Sequence, residues 1–294
     1  MLNVAIIGLG LIGGSIALAL RRAEQGANIV AFDSDQAQLD LALRAGAIDA
    51  CASDFAVLAR SDIVFICVPV AQTASVFDAL RPHLRAATIV TDVGSTKQSV
   101  IAFARTTLGS AVAQFVPGHP IAGREHAGFA AAAAALFEGK NVVLTPLAEN
   151  APRSIETVRS LWQKCGARVV EMPARNHDDI FAAVSHLPHM LAFALVDDFA
   201  SRPNAKDLFS FAASGFRDFT RIASSSPEMW RDIALDNREA LLRELDCFID
   251  HAKKLRDALD AGDAIAIEAL MARARRARDQ WLAGELEHFR DESA

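Results

Sequence analysis

The sequence predicts an α/β domain built on a mostly parallel sheet over residues 1–173, followed by an all-α domain over residues 174–294. Three observations predict it. Up to Met172-Pro173 short apolar runs alternate with helical ones, and strands apolar on both faces belong to parallel sheets covered by helices on each side. From His177 onward the apolar residues recur at helical spacing alone. Between the first strand and the first helix stands a glycine cluster, Gly8-Leu9-Gly10-Leu11-Ile12-Gly13.

In order, residues 3–8 read as a buried strand and 12–25 as the helix behind it. Residues 28–33 are the second strand, with a helix through 36–45. Residues 63–69 and 87–92 follow as strands, and 113–117, 141–146 and 167–172 give three more. The alanine run at 130–135 reads most simply as a helix. In the second half, Ile180, Phe181, Val184, Leu187, Met190, Leu191 and Val196 mark one strongly apolar helix. Residues 234–259 and 264–289 form two long amphipathic helices whose stripes exceed what this domain can bury, which predicts a second subunit against them.

Composition removes several classes. With 294 residues, 52% hydrophobic and 22% charged, the chain has ample core for two domains and is no disordered protein. A net charge of -6 supplies no general basic surface for nucleic acid or anionic lipid. Cys51, Cys67, Cys165 and Cys247 lie far apart with no CxxC pair, which argues against a disulfide framework or zinc site and fits a reducing cytoplasm. Residues 1–20 are uncharged, but Arg21 and Arg22 follow the apolar run instead of preceding it, and four glycines interrupt it. A signal peptide or membrane anchor is not expected. The apolar stretch 127–137 is about half the ~20 residues a membrane span requires.

The order strand, glycines, helix, acid has a physical meaning. Gly8 permits the tight turn, Gly10 lets the backbone approach a pyrophosphate, and Gly13 allows close helix–strand packing. Leu11 and Ile12 open the helix, whose N-terminal N–H groups face the phosphates. Asp33 closes the second strand, where it can accept from ribose hydroxyls and repel a 2′-phosphate, so a Rossmann-like domain binding NAD in preference to NADP is expected. Val68 and Pro69 end the next strand at the same carboxyl edge, and Ser95 follows the one after as either a site residue or a helix N-cap. His119, held by Pro120 at a strand end, is either a general acid–base group or a hydrogen-bonded loop histidine. His186 and His189 lack further ligands for a metal, so one of them lining a cleft is the better reading, and no metal is expected. Arg217 and Arg221, four apart on a helix, either clamp carboxylates or form a solvated face with Asp218.

Together the segments GLGLIGGS, DVGSTK, GHPIAGRE, VSHLPHMLAFAL and GFRDFTRIASSSPEMWRDI resemble the prephenate dehydrogenase family, the NAD(P)-dependent prephenate, arogenate and cyclohexadienyl dehydrogenases of tyrosine biosynthesis. The resemblance runs in order over nearly the whole chain. It implies a Rossmann-like domain followed by an all-helical dimerisation domain, NAD as cofactor, and oxidative decarboxylation of prephenate or arogenate. It also implies that His119 accepts the proton of the ring hydroxyl, and that Ser95 bonds this histidine and the substrate. His189 and Arg221 would bind substrate, Arg221 through a carboxylate, and Glu125 would stand at the pocket mouth. Arg124 and Arg217 stand where some relatives carry other residues, so Arg217 is a substrate-side candidate whose specificity the resemblance leaves open. Activity should then rise with pH through the ordinary histidine range of about 6–7.

Two other readings share parts of this pattern. Imine reductases and β-hydroxyacid dehydrogenases also join a Rossmann domain to a helical one, the latter with a lysine base. A silent NAD-sensing regulator would need no proton acceptor beside the nicotinamide, which His119, Ser95, His189 and Arg221 together argue against. The sequence closes soon after Phe289, which leads us to expect no appended βαββαβ regulatory module and tyrosine inhibition that competes with prephenate in the substrate pocket.

Overall fold

A computed structural model of the chain describes residues 1–24, 26–58, 60–124 and 126–285. By internal contacts the chain divides into two compact units, Met1–Leu241 and Leu242–Ala294. The first opens with β1 (Asn3–Ile7), α1 (Leu11–Ala23), β2 (Asn28–Phe32), α2 (Gln36–Arg44), β3 (Ala50–Cys51), α3 (Phe55–Leu58) and β4 (Ile63–Ile66). It continues through α4 (Thr73–Leu80), β5 (Ile89–Asp92), α5 (Gln98–Leu108), β6 (Phe115–Val116), β7 (Gly118–Pro120), β8 (Asn141–Leu144), α6 (Pro152–Lys164) and β9 (Arg168–Glu171). The helices α7 (Ala174–Phe181), α8 (Leu187–Ser201), α9 (Ala205–Ser210), α10 (Ser214–Thr220) and α11 (Pro227–Asp236) follow. The helix α12 (Arg238–Asp260) crosses the division between the units, and α13 (Ala264–Ala283) lies within the second.

Six strands form one parallel sheet in the order β3-β2-β1-β4-β5-β6. Alternation along the strands explains how helices cover both faces. Val4 and Ile6 join Ile16, Leu20 and Trp162 in one core, while Ala5 and Ile7 join Phe77, Leu80 and Val100 in the other. The register pairs Ile7 with Phe32 and with Ile66, and Ile66 with Asp92. The carboxyl ends of four strands therefore share one edge, with the order reversing at β1.

Three expectations are corrected here. The strands read at 113–117, 141–146 and 167–172 do not extend one sheet. β7, β8 and β9 form a second sheet in which β7 runs antiparallel to β8, because the chain turns at Pro117 immediately after β6. The alanine run is no α-helix: residues 129–131 form a 3₁₀ turn, and turns continue to 139. Tertiary packing overrides propensity there, since Ser15 Oγ accepts from the Ala133 N–H at 3.0 Å and Gln38 Oε1 accepts from the Phe129 N–H at 2.7 Å. The apolar helix through residues 180–196 is broken by a π turn at Ala182–His186. Pro188 explains the break, because it has no N–H to donate and its ring disrupts the preceding turn.

The expected boundary at residue 173 falls between β9 and α7, while the division by contacts falls within α12. The helix read at 264–289 ends earlier, at Ala283, where Gly284 closes it in the left-handed conformation at φ +78°. The run Ala174–Ser201 is long and apolar enough to cross a membrane by length and composition, with mean hydropathy 1.5, yet it carries the buried polar residues His177, Asp178 and His186.

Candidate active site

The cradle for a dinucleotide is built from backbone. Gly8 has φ +94°, a left-handed conformation, and a Cβ there would meet the Cys67 carbonyl at 2.5 Å. A Cβ on Gly13 would lie 1.9 Å from the Gly8 carbonyl oxygen, so only glycine lets α1 approach β1 this closely. Around Gly10 there is open space instead, nothing lying within 4 Å of such a Cβ. Gly10 is also the N-cap of α1 and has no side-chain cap, and the first turn carries no acidic residue. The residues fit a pyrophosphate: clear space, free N–H donors and the positive end of a helix dipole coincide.

Asp33 sits half-buried past the end of β2, where Oδ2 accepts from the Leu9 N–H at 2.6 Å and Oδ1 from the Asp35 N–H at 2.8 Å. One backbone donor on each oxygen leaves lone pairs for ribose hydroxyls. Leu11 and Ile12 start α1 partly buried against the core, Val68 packs beside Gly8, and Pro69 is exposed. Cys67 shares this crevice, and burial followed by the Asp92 charge pushes its thiol up, so it stays neutral.

Next along the edge, a buried ion pair fixes the loop after β5 to the start of β7. Asp92 pairs with Lys97 and accepts from the Gly94 N–H at 2.8 Å and the Gly118 N–H at 3.1 Å. Lys97 Nζ also donates to the Gly118 carbonyl at 2.7 Å. His119, the next residue, is thereby placed beside the carboxyl edge of the main sheet. Its Nδ1 lies 2.8 Å from His177 Nε2, and His177 Nδ1 lies 2.7 Å from Asp178 Oδ1. Phe181 packs edge-on to the His119 ring at 5.0 Å. Burial, then the neighbouring His177, Lys97 and His186, hold the His119 pKa well below the ordinary histidine range, which corrects the expected titration near 6–7.

Ser95 is half-buried on the loop that Asp92 and Lys97 pin, and makes no hydrogen bond to His119 among the described residues. It is not the cap of α5 either. Asp178 takes that role from α7, accepting from the Lys97 N–H at 2.8 Å and the Gln98 N–H at 2.9 Å. These bonds and the one to His177 hold the Asp178 carboxyl below the usual range despite its burial.

The helical side of the site follows from the π turn. His186 is buried, with the Asn237 amide donating to its Nδ1 at 3.2 Å, and burial pushes its pKa down to about 4. Asn237 also donates to the Asp178 carbonyl at 2.8 Å. His189 Nδ1 donates to the Ser185 carbonyl at 2.8 Å, and its ring stacks on Trp230 at 3.6 Å. Burial lowers the His189 pKa, the bond to the Ser185 carbonyl opposes this, and the Arg221 charge lowers it further. Arg221 is exposed at the end of α10.

The structure thus joins His119 through His177, Asp178 and Asn237 to His186, with Trp230 packed against both His186 and His189. Arg217, exposed in α10, joins no ion pair among the described residues, and Glu125 lies outside them. The sequence reading missed His177, Asp178, Lys97, Asn237 and Trp230. The adjacent His177-Asp178 pair was the available signal, but a regular helix sets His177 and His186 roughly two and a half turns apart, on opposite sides. Among the described residues no group of three His, Cys, Asp or Glu side chains is arranged to hold a metal ion.

Comparison with known proteins agrees with this layout. Residues 16–171 match the family model for the prephenate dehydrogenase nucleotide-binding domain, and residues 173–273 that for the prephenate dehydrogenase dimerization domain. The chain is 40% identical over 265 residues to a prephenate dehydrogenase of Bacillus subtilis, covering 89% of this chain and 71% of that one. It is 37% identical over 264 residues to a cyclohexadienyl dehydrogenase of Zymomonas mobilis, covering 89% of each. Its fold is similar to that of the prephenate dehydrogenase of Aquifex aeolicus solved with hydroxyphenyl propionate and NAD+, with a TM-score of 0.89, 34% identity and coverage of 95% of this chain and 98% of that one.

Proposed function

The chain belongs to the prephenate dehydrogenase family of NAD-dependent oxidoreductases, and from that premise we propose that His119 is its proton acceptor and Arg221 its substrate anchor in the oxidative decarboxylation of prephenate to 4-hydroxyphenylpyruvate. The observation that carries the reading is Asp92: one buried carboxylate bonds both the loop beside the dinucleotide cradle and the N–H of Gly118, so His119 is tied to the edge where the cofactor fits.

Gly8, Gly10, Gly13 and Asp33 would hold NAD, which when bound accepts hydride from C4 of the substrate ring. The chain's own residues do the rest. His119, neutral above its lowered pKa, takes the hydroxyl proton as the C4 carbonyl forms. The ring carboxylate then leaves as CO2, the ring becomes aromatic, and the proton on His119 is available to return to the phenolate oxygen. Arg221 pairs with a substrate carboxylate, with His189 beside it, and charge-assisted bonds of this kind contribute about 1.5–3 kcal/mol each. Ser95, on the loop between cradle and histidine, and Glu125 and Arg217 are further substrate-side candidates.

The working form is proposed to be a homodimer, a reading the description of residues 173–273 as a dimerization domain supports. We place it in a reducing cytoplasm, free of membrane and nucleic acid, consistent with four free cysteines and a net charge of -6. The division at residue 173 is taken as the functional boundary, with the cradle before it and His189 and Arg221 after it.

The test is formation of NADH from NAD, and of NADPH from NADP, with prephenate and with arogenate. Prephenate with NAD should give NADH and CO2 in equal amounts. Absence of reduced cofactor with both substrates would overturn the assignment, and turnover of arogenate alone would move the substrate within the family.

A further inference from the structure

We infer that His177, held by Asp178, is a positioning residue for His119: it keeps the His119 ring in the tautomer with hydrogen on Nδ1 and so leaves Nε2 as the base. This rests on the proton-accepting role proposed for His119. The hydrogens along one chain of bonds fix this tautomer. Asp178 receives three donors, the N–H groups of Lys97 and Gln98 and the Nδ1 of His177. An ionised carboxylate can only accept, so His177 Nδ1 carries a hydrogen. A neutral imidazole carries one hydrogen, which leaves a lone pair on His177 Nε2. That nitrogen lies 2.8 Å from His119 Nδ1, and two lone pairs cannot face each other at this distance. His119 Nδ1 must therefore carry the hydrogen, and neutral His119 exposes its base character at Nε2 alone.

The fold anchors this chain at its far end. Asp178 is locked by the N-terminus of α5, and its carbonyl accepts from Asn237. Phe181, one turn along α7, packs against both imidazole rings, at 5.0 Å from His119 and 4.5 Å from His177. The charged and titratable groups facing the pair are Lys97 and Asp92 from the sheet side, Asp178 on α7 and His186 from the π turn; Asp236, which bonds Thr96 and Ser99, acts on Lys97. When the substrate O–H bond breaks and the Nε2–H bond forms, Nδ1 keeps its hydrogen, and its bond to His177 becomes charge-assisted. The Asp178 carboxylate, one ring away, offsets the charge created on His119. A buried carboxylate bonded to a catalytic histidine orients its ring in this way in hydrolytic triads, and here an imidazole is interposed.

The test reads the tautomer directly. Imidazole nitrogen spectra of the unliganded, ¹⁵N-histidine-labelled protein at pH 8 should show His119 with hydrogen on Nδ1 and none on Nε2. His177→Phe, similar in bulk but without an acceptor, should lose that preference and lower kcat at least about tenfold with KM for NAD unchanged. His177→Gln, whose amide oxygen accepts from Nδ1–H, should retain the tautomer and recover part of the rate. Hydrogen on Nε2 of His119 in the wild type would overturn the inference without recourse to any variant. So would His177→Phe that keeps both the tautomer and the wild-type kcat. The Nδ1–H tautomer in a protein that does not turn over prephenate would support the positioning geometry and refute the proposed activity instead.

Discussion

Replacing His119 by Asn removes the proposed proton acceptor and leaves the glycine cradle untouched, so kcat should fall by about 10²–10⁴ while NAD affinity, read by fluorescence titration, stays nearly constant. The pH profile sharpens this. Because burial and the neighbouring His177 and Lys97 lower the His119 pKa, the base is already neutral at pH 7, and the acid limb of kcat/KM should lie below pH 6.5. A limb centred at or above that value would show that His119 is not the titrating group. Asp33 tests the other end of the site. Asp33→Ser removes an acceptor for ribose and the repulsion of a 2′-phosphate, so the ratio of kcat/KM for NADP to that for NAD should rise; an unchanged ratio would remove Asp33 from the specificity determinants. The strand-end places of Asp33 and His119 were legible from spacing, while the role proposed for His119 came from the resemblance to the family. Asp92 and Lys97 were less so, since nothing in DVGSTK says that both side chains turn inward and meet.

The strands of the main sheet were readable from apolar runs alone, because burial on both faces leaves no polar alternation to confuse the pattern. The elements that escaped are those set by distant partners. The alanine run follows the surface offered by Gly14 and Ser15 on α1, and the π turn reflects Pro188 together with the buried bonds of His186 and Asn237. The start of α5 is likewise fixed from afar, by Asp178, and its neighbour Lys97 is wholly buried against Asp92. Lys97→Met keeps the volume and removes the charge, leaving the Asp92 carboxylate buried without its cation. Such a loss costs about 3–5 kcal/mol, so thermal unfolding should move down by several degrees or the protein should fail to accumulate. A Tm equal to wild type would show that Asp92 is satisfied by the Gly94 and Gly118 N–H groups alone.

Across the whole molecule two features bear on conditions of use. Apolar side chains stay exposed in both units, among them Val184 (66%) and Leu235 (65%) in the first and Ile265 (83%) and Trp281 (60%) in the second. If the proposed homodimer buries them, light scattering at micromolar concentration should give twice the 31.5 kDa protomer, and a monomer there would refute the assembly. The second feature is the set of four histidines, His119, His177, His186 and His189, all with pKa values lowered chiefly by burial. Above pH 6.5 they are neutral folded or unfolded and cost nothing. As pH falls through 6.5 the unfolded chain gains protons that the folded chain refuses, so unfolding becomes easier. His186 alone, pushed down to about 4, contributes about 3 kcal/mol of this loss by that pH. Asp178, lowered from 3.8, withdraws its own contribution only below that value, so the first loss belongs to the histidines. Tm measured between pH 7.5 and 4 should therefore start to drop near pH 6.5, well before carboxylates titrate. His186→Asn, which carries no titrating ring, should show a shallower drop than wild type even if its Tm at pH 7.5 is lower. Equal slopes for the two proteins would assign the acid sensitivity to other groups.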